Sequence, residues 1–136
     1  MIPSFRTILK EKADHSFEIE EIKRTIDDLK LDIKPEELLN KFDNAHAIKL
    51  TTNVWSKLEN TDYDVKTKKD VKVKLKEYGR DENNYEKILD EFSNSHCYEP
   101  LIINFDNRYY LVAGNTRLMV AKVNNITPFA KVVELW

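Results

Sequence analysis

Two glycines in 136 residues, Gly79 and Gly114, constrain this chain more than any other feature. Glycine enters left-handed backbone without steric cost, so a chain this poor in it keeps each one where the backbone requires it. Gly79 follows Val71, Leu75 and Tyr78, which share one face of a helix, and it fits the left-handed position that ends one. Gly114 follows a β-prone run and precedes good helix formers, so it marks the joint between a strand and a helix.

The stretches around these two points carry their own punctuation. Met1 to Asp14, with Phe5, Ile8 and Leu9, suggests a short opening helix or a loose arm. Ser16 as a cap, the acids Glu18, Glu20 and Glu21, and Ile19, Ile22, Ile26 and Leu29 at spacings of three and four predict an amphipathic helix ending near Lys30. Pro35 at a first helical position starts a second helix through Phe42. Ala47 to Leu50 is a strand candidate, Thr51 or Thr52 caps a helix carrying Val54, Trp55 and Leu58, and Glu59 to Asp64 reads as a polar loop. Thr67 to Asp70 has the form of a capping box for the helix that Gly79 ends. Tyr85, Ile88, Leu89 and Phe92 give a further helix, closed by the Ser93 to His96 loop. Leu101 to Phe105 and Arg108 to Val112 form a hairpin around Asp106-Asn107, Thr116 to Asn124 a helix, and Phe129 to Leu135 a last strand after Pro128. The expected class is α/β (α+β): one domain over 1–136, with a helical part over 1–45 and a core over 46–136.

Composition bounds the rest. The 22 Lys and Arg face 24 Asp and Glu, a net charge of −2, so any nucleic-acid contact has to be local rather than a matter of bulk charge. No apolar run reaches the roughly 18 residues of a membrane span, and Met1 to Ala13 carries charges where a signal peptide needs an apolar core; a soluble, cytoplasmic protein is expected. Cys97 is the single cysteine, which excludes an internal disulfide and a thiolate metal cluster. His15, His46 and His96 lack ligand spacing, and His96 beside Cys97 has no further ligand.

The chemistry concentrates at Val112-Ala113-Gly114-Asn115-Thr116-Arg117. A helix start presents N–H groups and partial positive charge, and a glycine there lets an anion come close. Thr116 or Asn115 can cap the helix or donate to a phosphate oxygen, and Arg117 adds a planar two-point donor. The plain alternative is a tight turn, a cap and an arginine paired with a surface acid. A second candidate is the run Lys66, Lys68, Lys69, Lys72, Lys74 and Lys76. On a helix, Lys68, Lys69, Lys72 and Lys76 make a stripe that can follow a phosphate backbone, or an ordinary solvated face balanced by Glu82, Glu86, Asp90 and Glu91.

Residues 85 to 135 as an ordered set resemble the ParB/sulfiredoxin-like superfamily. The set comprises Glu99-Pro100 at a strand entrance, the hairpin ending Tyr109-Tyr110-Leu111-Val112-Ala113-Gly114, the Gly-x-x-Arg helix start Gly114 to Arg117, and a final strand after Ile126-Thr127-Pro128. The resemblance implies a small α/β domain whose Gly-x-x-Arg start holds a phosphate or a nucleotide such as ATP, ADP or CTP, with Gly114, Asn115, Thr116, Arg117 and Glu99 as binding positions. NTP hydrolysis, phosphoryl transfer and nuclease-like cleavage are the reactions it leaves open, in a DNA-related setting. The sulfiredoxin cysteine position after the motif glycine is Asn115 here, which argues against sulfinic-acid reduction. Gly-Asn-Thr-Arg in place of Gly-Glu-Arg-Arg argues against a CTP switch, and the chain looks more like the small ParB-like proteins of phages and mobile elements.

In that superfamily an early loop faces the phosphate motif, and Thr52 to Trp55 or Glu59 to Asp62 is the expected source. Asp62 or Asp64 would then hold Mg²⁺ or act as a base, with Asp62 the first choice and Arg117 stabilising phosphoryl charge. A capped, solvated loop and a core Trp55 are the structural alternatives. The rival function is a non-catalytic module that keeps the ParB-like fold and binds a partner protein through its charged faces.

Overall fold

Lys30, Gly79 and Gly114 each take the left-handed backbone at a helix boundary, and two Asx residues take it in a hairpin. The computed structural model describes residues 19–94 and 99–135. The expected arm over Met1 to Asp14, the Ser16 cap, the Ser95 and His96 part of the loop expected after Phe92, and Cys97 lie outside the described residues. The chain divides into two compact units, Met1–Ala45 and His46–Trp136.

In the first unit, helix α1 occupies residues 19–29. Lys30 follows at φ 55°, and the Leu31 N–H donates to the Ile26 carbonyl at 3.0 Å, the closure usually built on glycine. Helix α2, Pro35–Asn44, starts with its proline inside the first turn and Glu36 and Glu37 beside it. It continues two residues past the expected end at Phe42. Ile22, Ile26, Leu38 and Phe42 are buried.

The second unit runs β1 (Ala47–Lys49), α3 (Thr52–Lys57), β2 (Leu58–Glu59), α4 (Lys68–Glu77), α5 (Asn84–Ser93), β3 (Leu101–Phe105), β4 (Arg108–Ala113), α6 (Asn115–Val123) and β5 (Phe129–Leu135). Its five-stranded sheet has the order β1-β5-β3-β4-β2. Strand β3 is antiparallel to β4 and parallel to β5, β1 is antiparallel to β5, and β2 is parallel to β4. The β3–β4 turn puts Asp106 at φ 54° and Asn107 at φ 61°, the double left-handed turn that follows strand twist. The Thr67 and Asp70 capping box forms, and the Arg80 N–H closes α4 on the Leu75 carbonyl at 2.8 Å around Gly79.

Of the two expected caps Thr51 is the one that caps α3, and the chain after it differs from the sequence expectation, because the helix stops at Lys57. Leu58 leaves the helix and lies beside Tyr109 as a strand residue, because its buried side chain joins the core from there. Glu59 is likewise strand rather than loop, in register with Tyr110.

Helix α6 is the centre of this unit. Leu118 and Ala121 pack with Ile102, Leu111, Ala130, Leu58, Leu50 and Trp55 against one face of the sheet. Met119 and Val120 pack on the other side, with Val65, Val71, Leu75 and Tyr85 from α4, α5 and the segment before them. Phe92 reaches both clusters. Trp55 is therefore a core residue, set edge-on to Tyr63 with centroids 5.7 Å apart.

Candidate functional site

Parallel neighbours end at the same edge of a sheet, and this brings two distant loops together. From the register Leu58 to Tyr109 and Glu59 to Tyr110, the chain after β2 and the chain after β4 run side by side. Asn60, at φ 55°, continues the pairing with its side chain: its amide donates to the Leu111 carbonyl at 2.8 Å and accepts from the Leu111 N–H at 3.1 Å. The next residues reach the start of α6. Thr61 Oγ1 and the Asp62 N–H donate to Asn115 Oδ1 at 3.0 and 3.2 Å, and Asn115 Nδ2 donates to Asp62 Oδ2 at 2.8 Å. Of the two candidate early loops, the structure places Asn60 to Asp62 at Gly114 to Arg117, whereas Thr52 to Trp55 forms α3.

Gly114 is the N-cap of α6, at φ 108° and ψ 17°, and supplies no side-chain cap. This corrects the expected cap at Asn115 or Thr116: Asn115 turns its amide to the 61–62 loop, and Thr116 is buried. The reason for a glycine also differs. A Cβ at Gly114 would stand 2.7 Å from Pro100 Cβ and 2.8 Å from Pro100 Cα, so it is the proline at the entrance of β3 that comes close on that side. Arg117 is half-buried in the first turn of α6, and Glu99 is half-buried just before Pro100.

Asp62 is held from several sides. Tyr78 Oη donates to Oδ2 at 2.5 Å and the Lys74 ammonium lies 3.6 Å from Oδ1. Burial alone would raise the carboxyl, but the bonds from Tyr78 and Asn115 and the Lys74 charge outweigh it and keep Asp62 below its ordinary value. Such a carboxylate is a weak proton acceptor. It is also a poor fit for Mg²⁺, which needs several oxygen ligands where Asp62 has an ammonium and two hydrogen-bond donors. Among the described residues no group of three His, Cys, Asp or Glu is arranged to hold a metal ion.

The hydrogen bond to Asp62, with partial burial, pushes Tyr78 up to about 12. A group raised in the fold stabilises below its unfolded value, about 10, and loses that contribution as pH rises through about 12. The lowered Asp62 stabilises above the ordinary carboxylate range and loses its part as pH falls. Tyr78→Phe is thus expected to cost about 1 kcal/mol, the phenol being half exposed, between pH 5 and 9 and less at pH 3 or above 12. Urea unfolding of both proteins across that range checks the two-ended loss.

The lysine stripe lies on α4 and meets Glu86 of α5 and Glu82 just before that helix. Lys68 and Lys72 sit 3.1 and 2.7 Å from the same Glu86 oxygen, and Lys76 sits 3.1 Å from Glu82. The bonds from Lys72 and Lys68 bring Glu86 down to about 2. Lys69 is exposed. Tyr78, expected only on the apolar face of α4, also has a polar role through its bond to Asp62. Lys122 donates its ammonium to the Val65 carbonyl at 2.6 Å and lies 4.6 Å from the Tyr63 ring centre, and Arg108 pairs with Glu59, Nε to Oε2 at 2.8 Å, which ties β4 to β2. Neither tie has a local signal, because its two ends are dozens of positions apart.

No helix among the described residues is long and apolar enough to cross a membrane. A scan against protein-family models and searches of curated proteins and of solved structures find no match to this chain.

Proposed function

We propose that this chain is a ParB-like phosphate- or nucleotide-binding protein that takes its ligand at Gly114 to Arg117, in a DNA-related role. The observation that carries this reading is the convergence of the carboxyl ends of two adjacent parallel strands, β2 and β4, on the start of α6. Open α/β sheets bind ligands outside such strand ends, and a helix start there favours an anion. Thr116 and Arg117 lie in the first turn, and the 60–62 loop stands against it. Binding is the activity this supports; the engaged Asp62 gives no base or cation for turnover.

A thermal-shift panel of ATP, ADP, CTP, GTP and inorganic phosphate, with and without Mg²⁺, tests it on wild type and Arg117→Ala. A true ligand at a hundred times its Kd adds about 2.7 kcal/mol to a two-state unit. The expected result is a nucleotide-dependent shift in wild type that Arg117→Ala loses. No shift with any compound would end the reading.

A second reading, a protein-interaction module without catalysis, is confined to the charges that the ion pairs leave exposed. Glu86 and Glu82 already hold three lysines of the stripe, and Asp62 is engaged within the fold. A fold that satisfies its charges internally offers them to a partner protein only at the remaining exposed groups, such as Lys69.

A further inference from the structure

We propose that residues 61–64 form a strap that opens as a unit, with the Asn115 side chain as its catch. Both ends of the strap are held by contacts outside it. Asn60 is pinned to the Leu111 main chain through both its amide atoms. Val65 is buried in the cluster shared by α4, α5 and α6, and its carbonyl accepts from Lys122. Between these points the main-chain pairing of β2 with β4 has already stopped. The strap is attached mainly through side chains instead: Tyr63 is half-buried against Trp55 with the Lys122 ammonium over its ring, and Asp62 meets Tyr78 and Lys74, beside one long main-chain bond from the Val65 N–H to the Asp62 carbonyl at 3.5 Å.

Three hydrogen bonds converge on a single amide. Asn115 Oδ1 accepts from Thr61 and from the Asp62 N–H, and its Nδ2 donates to Asp62. Asn115 belongs to α6, whose Leu118, Met119, Val120 and Ala121 are fully buried, so the catch stays in place when the strap leaves. Segments held mainly by part-buried polar contacts between two pinned ends open locally, at a lower free energy than the whole unit. Opening frees the Asn115 amide at the start of α6. If that start is the anion site proposed above, a ligand there competes with Asp62 for the amide, and the strap regulates access; this consequence rests on that reading, while the strap itself does not.

Residue-resolved amide hydrogen exchange on the full chain tests the catch without any ligand. Asn115→Asp sets a carboxylate against that of Asp62 and keeps an acid in the first turn of α6, where it is favourable. The expected result is at least tenfold faster exchange at the Asp62 amide, with Leu111 and Leu118 unchanged; Asn115→Ser should give the same pattern more weakly. Equal acceleration at Leu111 and Leu118 would overturn the proposal, since the strap would then open only with the unit, as would an unchanged Asp62 amide. Because the nucleotide panel reads ligand binding and this experiment reads opening, either can fail alone.

Discussion

Gly114→Ala is expected to destabilise the His46–Trp136 unit by about 3–4 kcal/mol. Two costs combine. At φ 108° an L-residue sits outside even the small left-handed region, a strain of about 1–2 kcal/mol. The new Cβ would also meet Pro100 Cβ at 2.7 Å and Cα at 2.8 Å, and backbone against a proline ring cannot yield as a flexible side chain would. Overpacking of this kind costs about 1–3 kcal/mol. Gly79→Ala is the matched control: φ is 69°, nothing lies within 4 Å of the added carbon, and about 1 kcal/mol should be lost. Urea unfolding followed by tryptophan emission separates the two. Equal losses would show that the Pro100 contact is not the source of the larger one.

Leu118→Ala is the second large effect, about 3 kcal/mol. Leu118 is almost fully buried on the sheet side of α6, in a cluster with Ile102, Leu111 and Ala130, where neighbours belonging to a sheet have little room to collapse into the space left. Leu89→Ala, half-buried at the margin of the second cluster, should lose only about 1 kcal/mol in the same measurement. A loss at Leu118 no larger than at Leu89 would contradict the central place given to α6.

What the sequence made legible was local chemistry. The Asp106-Asn107 turn, the Thr67 and Asp70 capping box and the Gly79 helix end each depend on residues within a few positions of one another, and each appears where expected. Strand β2 did not, because two residues have no periodicity and exist as a strand only through β4. Leu58 matched the helical spacing of Val54 and Trp55 yet belongs to that strand. Tyr78 shows why an apolar pattern can mislead about a side chain with two ends: its spacing follows the core face of α4, while its hydroxyl bonds Asp62. Asp62 was named from the early loop that the resemblance implies, and its neighbour Asn115 is set by the parallel register of two strands fifty positions apart. The need for glycine at 114 was readable, but Pro100 as its cause was not, since the contact crosses the β3–β4 hairpin.

The lengths of the outer strands bear on how this protein behaves at high concentration. Strand β1 has three residues and β2 has two, and these are the outermost strands of the described sheet. A short edge offers another chain few main-chain groups to pair with, and Lys49 on β1 and Glu59 on β2 add charge there. The apolar run Leu101 to Ile103 lies on β3, between β5 and β4, whereas β1 covers β5 only over Phe129 to Lys131 and leaves Val132 and Val133 paired on the β3 side alone. The sheet thus keeps its central apolar run in its interior, and the stretch of β5 beyond β1 is the part of its rim where another chain would find the most main-chain groups to pair with.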